Sequence, residues 1–219
     1  MKPIVIFGTG DIARLARVYF TRDARRDVAG FTVDAAYCTS PVFQELPLVP
    51  FEEVAARFPP AGFELFVALS YRNMNRLREE KYRAAKALGY ALASYVSSRC
   101  SFLSDIPVGD NCFILEDNTV QPFVRIGSNV TLWSGNHIGH DSTIDDHCFV
   151  SSHVVVSGHV RIGSHCFLGV NATLRNGITL ARETLVGAGA VIMKDTVEKG
   201  VYLAQRAERF AKSSDQIDL

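Results

Sequence analysis

All six histidines of this chain, His137, His140, His147, His153, His159 and His165, lie in one short window. Clustered imidazoles can ligate a metal, move protons or occupy polar turns. One pair has the form that proton transfer needs, because His140 is followed directly by Asp141. Acyl transfer from a thioester to an amine needs a base, since the attacking nitrogen sheds a proton as the amide forms. It also needs a donor, commonly a backbone N–H, facing the developing oxyanion. An imidazole whose acidic neighbour orients the ring or raises its basicity answers the first need. An ordinary polar turn, Ile138-Gly139-His140-Asp141, accounts for the same residues equally well. His147 and His165 fall at turn positions and read as solvated surface side chains.

A second group sits near the start. Gly8-Thr9-Gly10-Asp11-Ile12-Ala13 has the GxGxxA form, which brings backbone N–H groups and a helix N-terminus close to a phosphate. A tight strand–helix turn without a ligand is the competing reading. Asp34, at the end of the next strand, stands where an acid accepts from a ribose hydroxyl.

These two groups need different scaffolds. From Val108 an aliphatic residue recurs every six positions, through Ile114, Val120, Ile126, Leu132, Ile138 and onward to Ile192 without a miss. The position four after each aliphatic is usually small or β-branched, as at Cys112, Val130, Ser142, Cys148, Val160, Cys166 and Ala172. A period of six fits neither a helix nor an alternating strand. It fits short strands joined by tight turns, three to a triangular coil, with stacked coils burying the aliphatics in a column. Cys148 and Cys166 then fall in register on adjacent coils as packing residues.

Residues 1–106 read as alternating β and α: strands at Pro3–Phe7, Val28–Val33, Glu64–Leu69 and Tyr90–Val96, and helices at Arg14–Phe20, Phe51–Phe58 and Asn73–Leu88. With the glycine turn after the first strand, this argues a small Rossmann-like α/β domain. Four strands fall short of two mononucleotide halves, so a ligand of one nucleotide's size fits better than a dinucleotide. Pro107 marks the junction, which divides the chain into 1–106 and 107–219 with a short C-terminal tail.

Composition narrows the field. The chain is 47% hydrophobic, enough for a real core, and Lys+Arg and Asp+Glu are both 23, which gives no reason to expect nucleic acid or an anionic membrane as partner. Neither a long apolar stretch nor a cleavable leader is legible, so the expectation is a cytoplasmic protein. The five cysteines form no CxxC and read as buried thiols.

The pattern [LIV]-[GAED]-x-x-[STAVC]-x resembles that of the hexapeptide-repeat acyltransferases, which implies a left-handed parallel β-helix and a homotrimer. The domain order, the glycine-rich first turn and the run Ile-Gly-His-Asp-Ser-Thr-Ile-Asp-Asp from Ile138 resemble the sugar-nucleotide N-acetyltransferases of the bacillosamine, perosamine and sialic-acid pathways. That resemblance implies acetyl-CoA as cosubstrate and a nucleotide-linked 4-amino-4,6-dideoxy sugar as acceptor. It implies His140 as base with Asp141 beside it, and Gly158 offering its N–H to the thioester carbonyl. Coenzyme A would also meet Val170 and Ala188, and the nucleotide would meet Thr9, Gly10, Asp11, Asp34 and Ser70. No metal is implied; γ-class carbonic anhydrases use such a helix to hold zinc, but with a histidine pair further apart in sequence than any here. Leu132-Trp133-Ser134-Gly135-Asn136-His137 is most similar to the perosamine branch, with GDP-perosamine or a relative as substrate, and Trp133 reads as an external side chain packed on the N-terminal domain or a neighbouring subunit.

The sequence departs from the family twice. Some relatives have a second histidine nine residues after the base, where this chain has Phe149, and the tail motif appears as Ala204-Gln205-Arg206-Ala207-Glu208-Arg209, without its proline. O-acetylation, transfer of another acyl group, or a non-catalytic sugar-nucleotide scaffold remain alternatives to N-acetylation.

Overall fold

The computed structural model describes residues 1–217. Its N-terminal part carries β1 (Ile4–Phe7), α1 (Asp11–Arg22), β2 (Val28–Val33), β3 (Val42–Phe43), β4 (Leu46–Pro50), α2 (Val54–Arg57), β5 (Glu64–Val67) and α3 (Arg76–Ala87). The sheet order is β3-β4-β2-β1-β5, parallel except for the β3–β4 hairpin. The central strand is apolar on both faces because both are covered. Ile4 and Ile6 pack with Ala13, Ala16 and Phe20 of α1. Val5 and Phe7 pack on the other side with Val54, Phe58, Tyr82 and Ala85.

Two elements differ from the sequence reading. β4 was not expected, because Pro47 and Pro50 argue against a strand; it survives because only the two-residue β3 flanks it on the outside. Tyr95–Val96, expected as a fourth α/β strand, instead pairs with Phe113–Ile114 of the repeat, and Ser101–Phe102 pairs with Thr119–Val120. Only an isolated bridge, Leu65 to Leu92, ties the 90–96 segment to the α/β sheet. The repeat therefore begins before Pro107, with Val96 and Phe102 continuing the six-residue series backward.

The rest is a left-handed parallel β-helix with three faces, made of seven, six and four short strands. Strands pair with those eighteen residues on, as Phe149–Val150 does with Phe167–Leu168, except at the end of the helix, where Leu185–Val186 pairs with Val201–Tyr202 sixteen residues on. The inward aliphatics form one continuous core, with Ile138, Ile144, Val150, Val156 and Leu168 wholly buried. Each contributes roughly 1.5–3 kcal/mol by leaving water. Cys112, Cys148 and Cys166 are buried free thiols within it.

The α/β domain sits on the seven-stranded face. Arg78 of α3 is 1% exposed and donates to Thr131 Oγ1 (2.8 Å) and the Cys148 carbonyl (2.9 Å). Tyr95 donates to Asp23 (2.6 Å) and Tyr19 to Glu116 (2.8 Å). Among the described residues no helix is long and apolar enough to cross a membrane.

Candidate active site

The corners of the β-helix explain most of the histidines. Each turn places one residue in the left-handed region, and Asn111, Asn129, Asp141, His147, His153, His159, His165 and Asn171 all have φ between 54° and 64°. Asn, Asp and His tolerate that conformation better than other side chains. Four of the six histidines are thus placed by backbone geometry. His140 is not among them, so turn conformation does not account for it.

His140 stands on the corner between the six- and four-stranded faces. Its Nδ1 lies 2.8 Å from Asp141 Oδ2, and its backbone N–H donates to Gln121 Oε1 (2.9 Å). Nδ1–H donating to the carboxylate leaves the Nε2 lone pair free. Gly158 lies one coil on, and a Cβ built there would fall 2.6 Å from His140 Nε2. The imidazole thus occupies the space that a side chain on Gly158 would take. Among the described residues no protein acceptor takes the Gly158 N–H.

A crevice of about 460 Å³ opens on a different corner, between the seven- and six-stranded faces, against the carboxyl ends of β1 and β5. Those ends form the switch point of the α/β sheet, since the chain leaves β1 for β2 on one side and returns to β5 on the other. Gly10, Asp11 and Ser70 line it together with Val170 from the β-helix. Gly8 is required there by the fold: its φ is +126°, and a Cβ would come 2.9 Å from the Ala68 carbonyl oxygen. Gly10 is not so required, because a Cβ on it would meet nothing within 4 Å.

Three expected residues stand apart from the crevice. Thr9 does not line it. The Asp34 carboxylate is engaged by Lys81 Nζ at 2.8 Å. Ala188 is exposed one coil beyond Val170, on the same corner. The sequence reading missed Tyr71, Ser151 and Ser152, which also line the cavity. Trp133 packs on the α/β domain and forms part of the crevice wall, stacked 6.0 Å from Phe149. Phe149 occupies the position of the relatives' second histidine, and Tyr71 packs on it at 5.0 Å.

His147 and His165 correct the sequence reading: both are buried, not solvated. Helix α3 covers their corner, and its Glu79 accepts from His165 Nε2 at 2.8 Å and approaches His147 Nε2 at 3.6 Å. Burial lowers the His147 pKa to about 4. Burial pushes the Glu79 carboxyl up, but hydrogen bonds from His165 and Arg83 outweigh it and hold the pKa at about 2. The Val67 N–H donates to Asn111 Oδ1, Asn111 Nδ2 to Asn129 Oδ1, and Asn129 Nδ2 points at His147 Nδ1 (2.9 Å). Because a backbone N–H can only donate, this ladder makes His147 Nδ1 an acceptor and leaves the proton on Nε2.

The bacterial transferase hexapeptide model (six repeats) matches residues 124–158, and the hexapeptide repeat of succinyl-transferase matches residues 159–194. The β-helix is built of transferase hexapeptide repeats. The transferase-type helix and its α/β partner together match solved structures over nearly the whole chain. PerB from Caulobacter crescentus, in complex with CoA and GDP-perosamine, is 23% identical, with a TM-score of 0.81 over 93% of this chain and 95% of that one. The acetyltransferase domain of PglB from Neisseria gonorrhoeae, in complex with acetyl coenzyme A, is 20% identical, with a TM-score of 0.81 over 95% and 99%. WeeI from Acinetobacter baumannii is 16% identical, with a TM-score of 0.79 over 93% and 97%. What these establish is a common fold.

Proposed function

We propose that this protein is an acetyl-CoA-dependent N-acetyltransferase acting on the 4-amino group of a nucleotide-linked 4-amino-4,6-dideoxy sugar, GDP-perosamine or a close relative. The observation that carries the proposal is the His140–Asp141 pair held over Gly158. The sugar amine attacks the thioester carbonyl carbon, and His140 Nε2 takes the proton that the nitrogen sheds. Asp141 stabilises the imidazolium. The Gly158 N–H donates to the oxyanion, and collapse expels the coenzyme A thiolate, which recovers the proton from His140. No acyl-enzyme is required, and the three cysteines of the β-helix core are buried.

Proteins of the same fold hold CoA with GDP-perosamine, or acetyl coenzyme A. Val170 and Ala188, which share one corner, are assigned to coenzyme A. The crevice at the α/β switch point is assigned to the nucleotide, with Gly10, Asp11 and Ser70 lining it and Thr9 next to Gly10 in the same turn. Gly10 supports this, since its open Cβ position leaves room for a phosphate to approach the backbone. Asp34 would reach a ribose only with its second oxygen, the first being held by Lys81.

Crevice and dyad lie on different corners of one β-helix, with the six-stranded face between them. A homotrimer resolves this by setting the dyad corner of one copy against the crevice corner of the next. Phe123, one coil before Asp141 and 66% exposed, is a side chain such a neighbour would cover. Both cosubstrates belong to the cytoplasm, which is where the reaction is placed.

The test is kinetic. His140→Ala should lower kcat/KM by roughly 10²–10⁴ with unchanged unfolding. Near-normal turnover by a folded variant overturns the assignment of the base.

A further inference from the structure

Two clusters bring three metal-ligating side chains within reach of a common ion. In the buried one, Glu79, His147 and His165, the hydrogen-bond ladder from Val67 keeps the proton on His147 Nε2, and Arg83 already occupies Glu79 (2.7 Å). Binding an ion there would require reversing the whole ladder and displacing a cation. In the second cluster, His140, Asp141 and His159, no Lys or Arg engages the carboxylate among the described residues, and a single proton, on His140 Nδ1, has to move. His159 occupies the turn position one coil beyond Asp141. Its Nε2 lies 4.0 Å from Asp141 Oδ2, and its ring meets the His140 ring edge to face at 4.9 Å.

We infer that His140, Asp141 and His159 form a binding site for a divalent transition-metal ion, Zn²⁺ in the first instance, and that the ion inhibits the enzyme. Two imidazoles and one carboxylate are the donor set that zinc takes with a fourth position left to solvent. A tetrahedral ion at about 2.0–2.1 Å from each donor separates the donors by about 3.3 Å. The observed 2.8 Å and 4.0 Å to Asp141 Oδ2 bracket that value, and one ligand atom from each of the three residues lies within 4.8 Å of the other two. The side chains are between 42% and 58% exposed, so small rotations suffice to close the triangle. The backbone helps, because Asp141 and His159 have the same left-handed turn conformation (φ 57° and 58°) on adjacent coils.

The inhibitory consequence follows from the tautomer. In the free enzyme Nδ1–H of His140 donates to Asp141 and Nε2 is the free base. An ion on Nδ1 displaces that proton to Nε2. The ring stays neutral, its free lone pair is gone, and Asp141 is drawn into the coordination sphere. The inhibition rests on the acyltransfer reading, whereas the metal site does not.

His159→Asn is the decisive variant. Asn is at home in the left-handed turn, and His159 has no part in the proposed reaction. Cobalt(II) is the spectroscopic probe, since four-coordinate Co²⁺ with nitrogen and oxygen donors absorbs strongly in the visible. The wild-type protein should show that spectrum, Zn²⁺ should abolish it, and His165→Asn should retain it. His159→Asn should lose it, and in the acetyl-transfer assay it should need on the order of tenfold more Zn²⁺ for half-inhibition. A spectrum that survives His159→Asn, or that vanishes with His165→Asn, overturns the site, as does its absence from the wild type. Because the spectrum requires no turnover, it stands or falls separately from the acyltransferase proposal. A wild-type spectrum with no Zn²⁺ inhibition of an active enzyme overturns the inhibitory role.

Discussion

Gly158→Ala separates the geometry of the base from its presence. The added Cβ would fall 2.6 Å from His140 Nε2 and 2.8 Å from Cε1. Ordinary carbon contacts lie near 3.5–4.0 Å, so the imidazole must move by about 1 Å. The His140 side chain is half exposed, so it can yield without strain in the coil, and Gly158 does not have a positive φ that alanine would resist. The stability cost should therefore stay below about 1 kcal/mol, the range of surface substitutions. Catalysis should suffer far more, since misplacing a reacting group by about 1 Å costs on the order of 10² in rate. Following thiol release from acetyl-CoA, kcat for Gly158→Ala should fall about 10²-fold. The double variant with His140→Ala should be no slower than His140→Ala alone, because both act on one group. A variant with more than half the wild-type rate, or a double variant whose losses multiply, would refute the placement of the ring.

Other expectations reach further from the dyad. His147 has a depressed pKa in the folded protein, so its contribution to stability is complete above about pH 6.5 and is lost as pH falls toward about 4. The loss is about 3 kcal/mol over that window, at about 1.4 kcal/mol per pKa unit, and urea titrations of His147→Asn should show it largely removed. Arg78→Ala leaves Thr131 Oγ1 without its buried donor, strips the Cys148 carbonyl of one of its two donors and opens a cavity. It should destabilise by about 3 kcal/mol or more, and a loss under about 1 kcal/mol would contradict that role. Gly10→Val enters open space, so it should leave the unfolding midpoint unchanged while raising KM for the nucleotide sugar about tenfold or more and sparing that for acetyl-CoA. A changed KM for acetyl-CoA alone would move the nucleotide elsewhere.

The β-helix was legible because one inward aliphatic every six residues admits no other regular structure, and its register put Gly158 beside His140 before any coordinates. The covered face was also legible in principle. Outward residues on the seven-stranded face run Phe113, Thr131, Phe149, Phe167 and Leu185, whereas those on the four-stranded face run Arg125, Thr143, Arg161 and Thr179. The burial of His147 and His165 was not legible. It depends on α3 lying across their corner, held by Arg78 and Glu79, and nothing local in the repeat records that contact. The register also sets Val170 and Ala188 on a different corner from His140 and Gly158, since twelve residues are two thirds of a coil, but nothing in the repeat says that the α/β domain closes its crevice against the Val170 corner. β4 escaped because its two prolines mask a strand whose outer side is almost bare.

The most direct measurement is product analysis. Wild-type protein is incubated with acetyl-CoA and either a GDP-linked 4-amino-4,6-dideoxy sugar or its 4-hydroxy counterpart, and the sugar is examined by mass spectrometry and NMR beside a His140→Ala control. The amino sugar should gain one acetyl group on its C4 nitrogen in step with coenzyme A release, the hydroxy sugar should be unchanged, and the control should be nearly inert. Acetylation of the hydroxyl in preference to the amine, or coenzyme A release unaffected by loss of His140, would contradict the account.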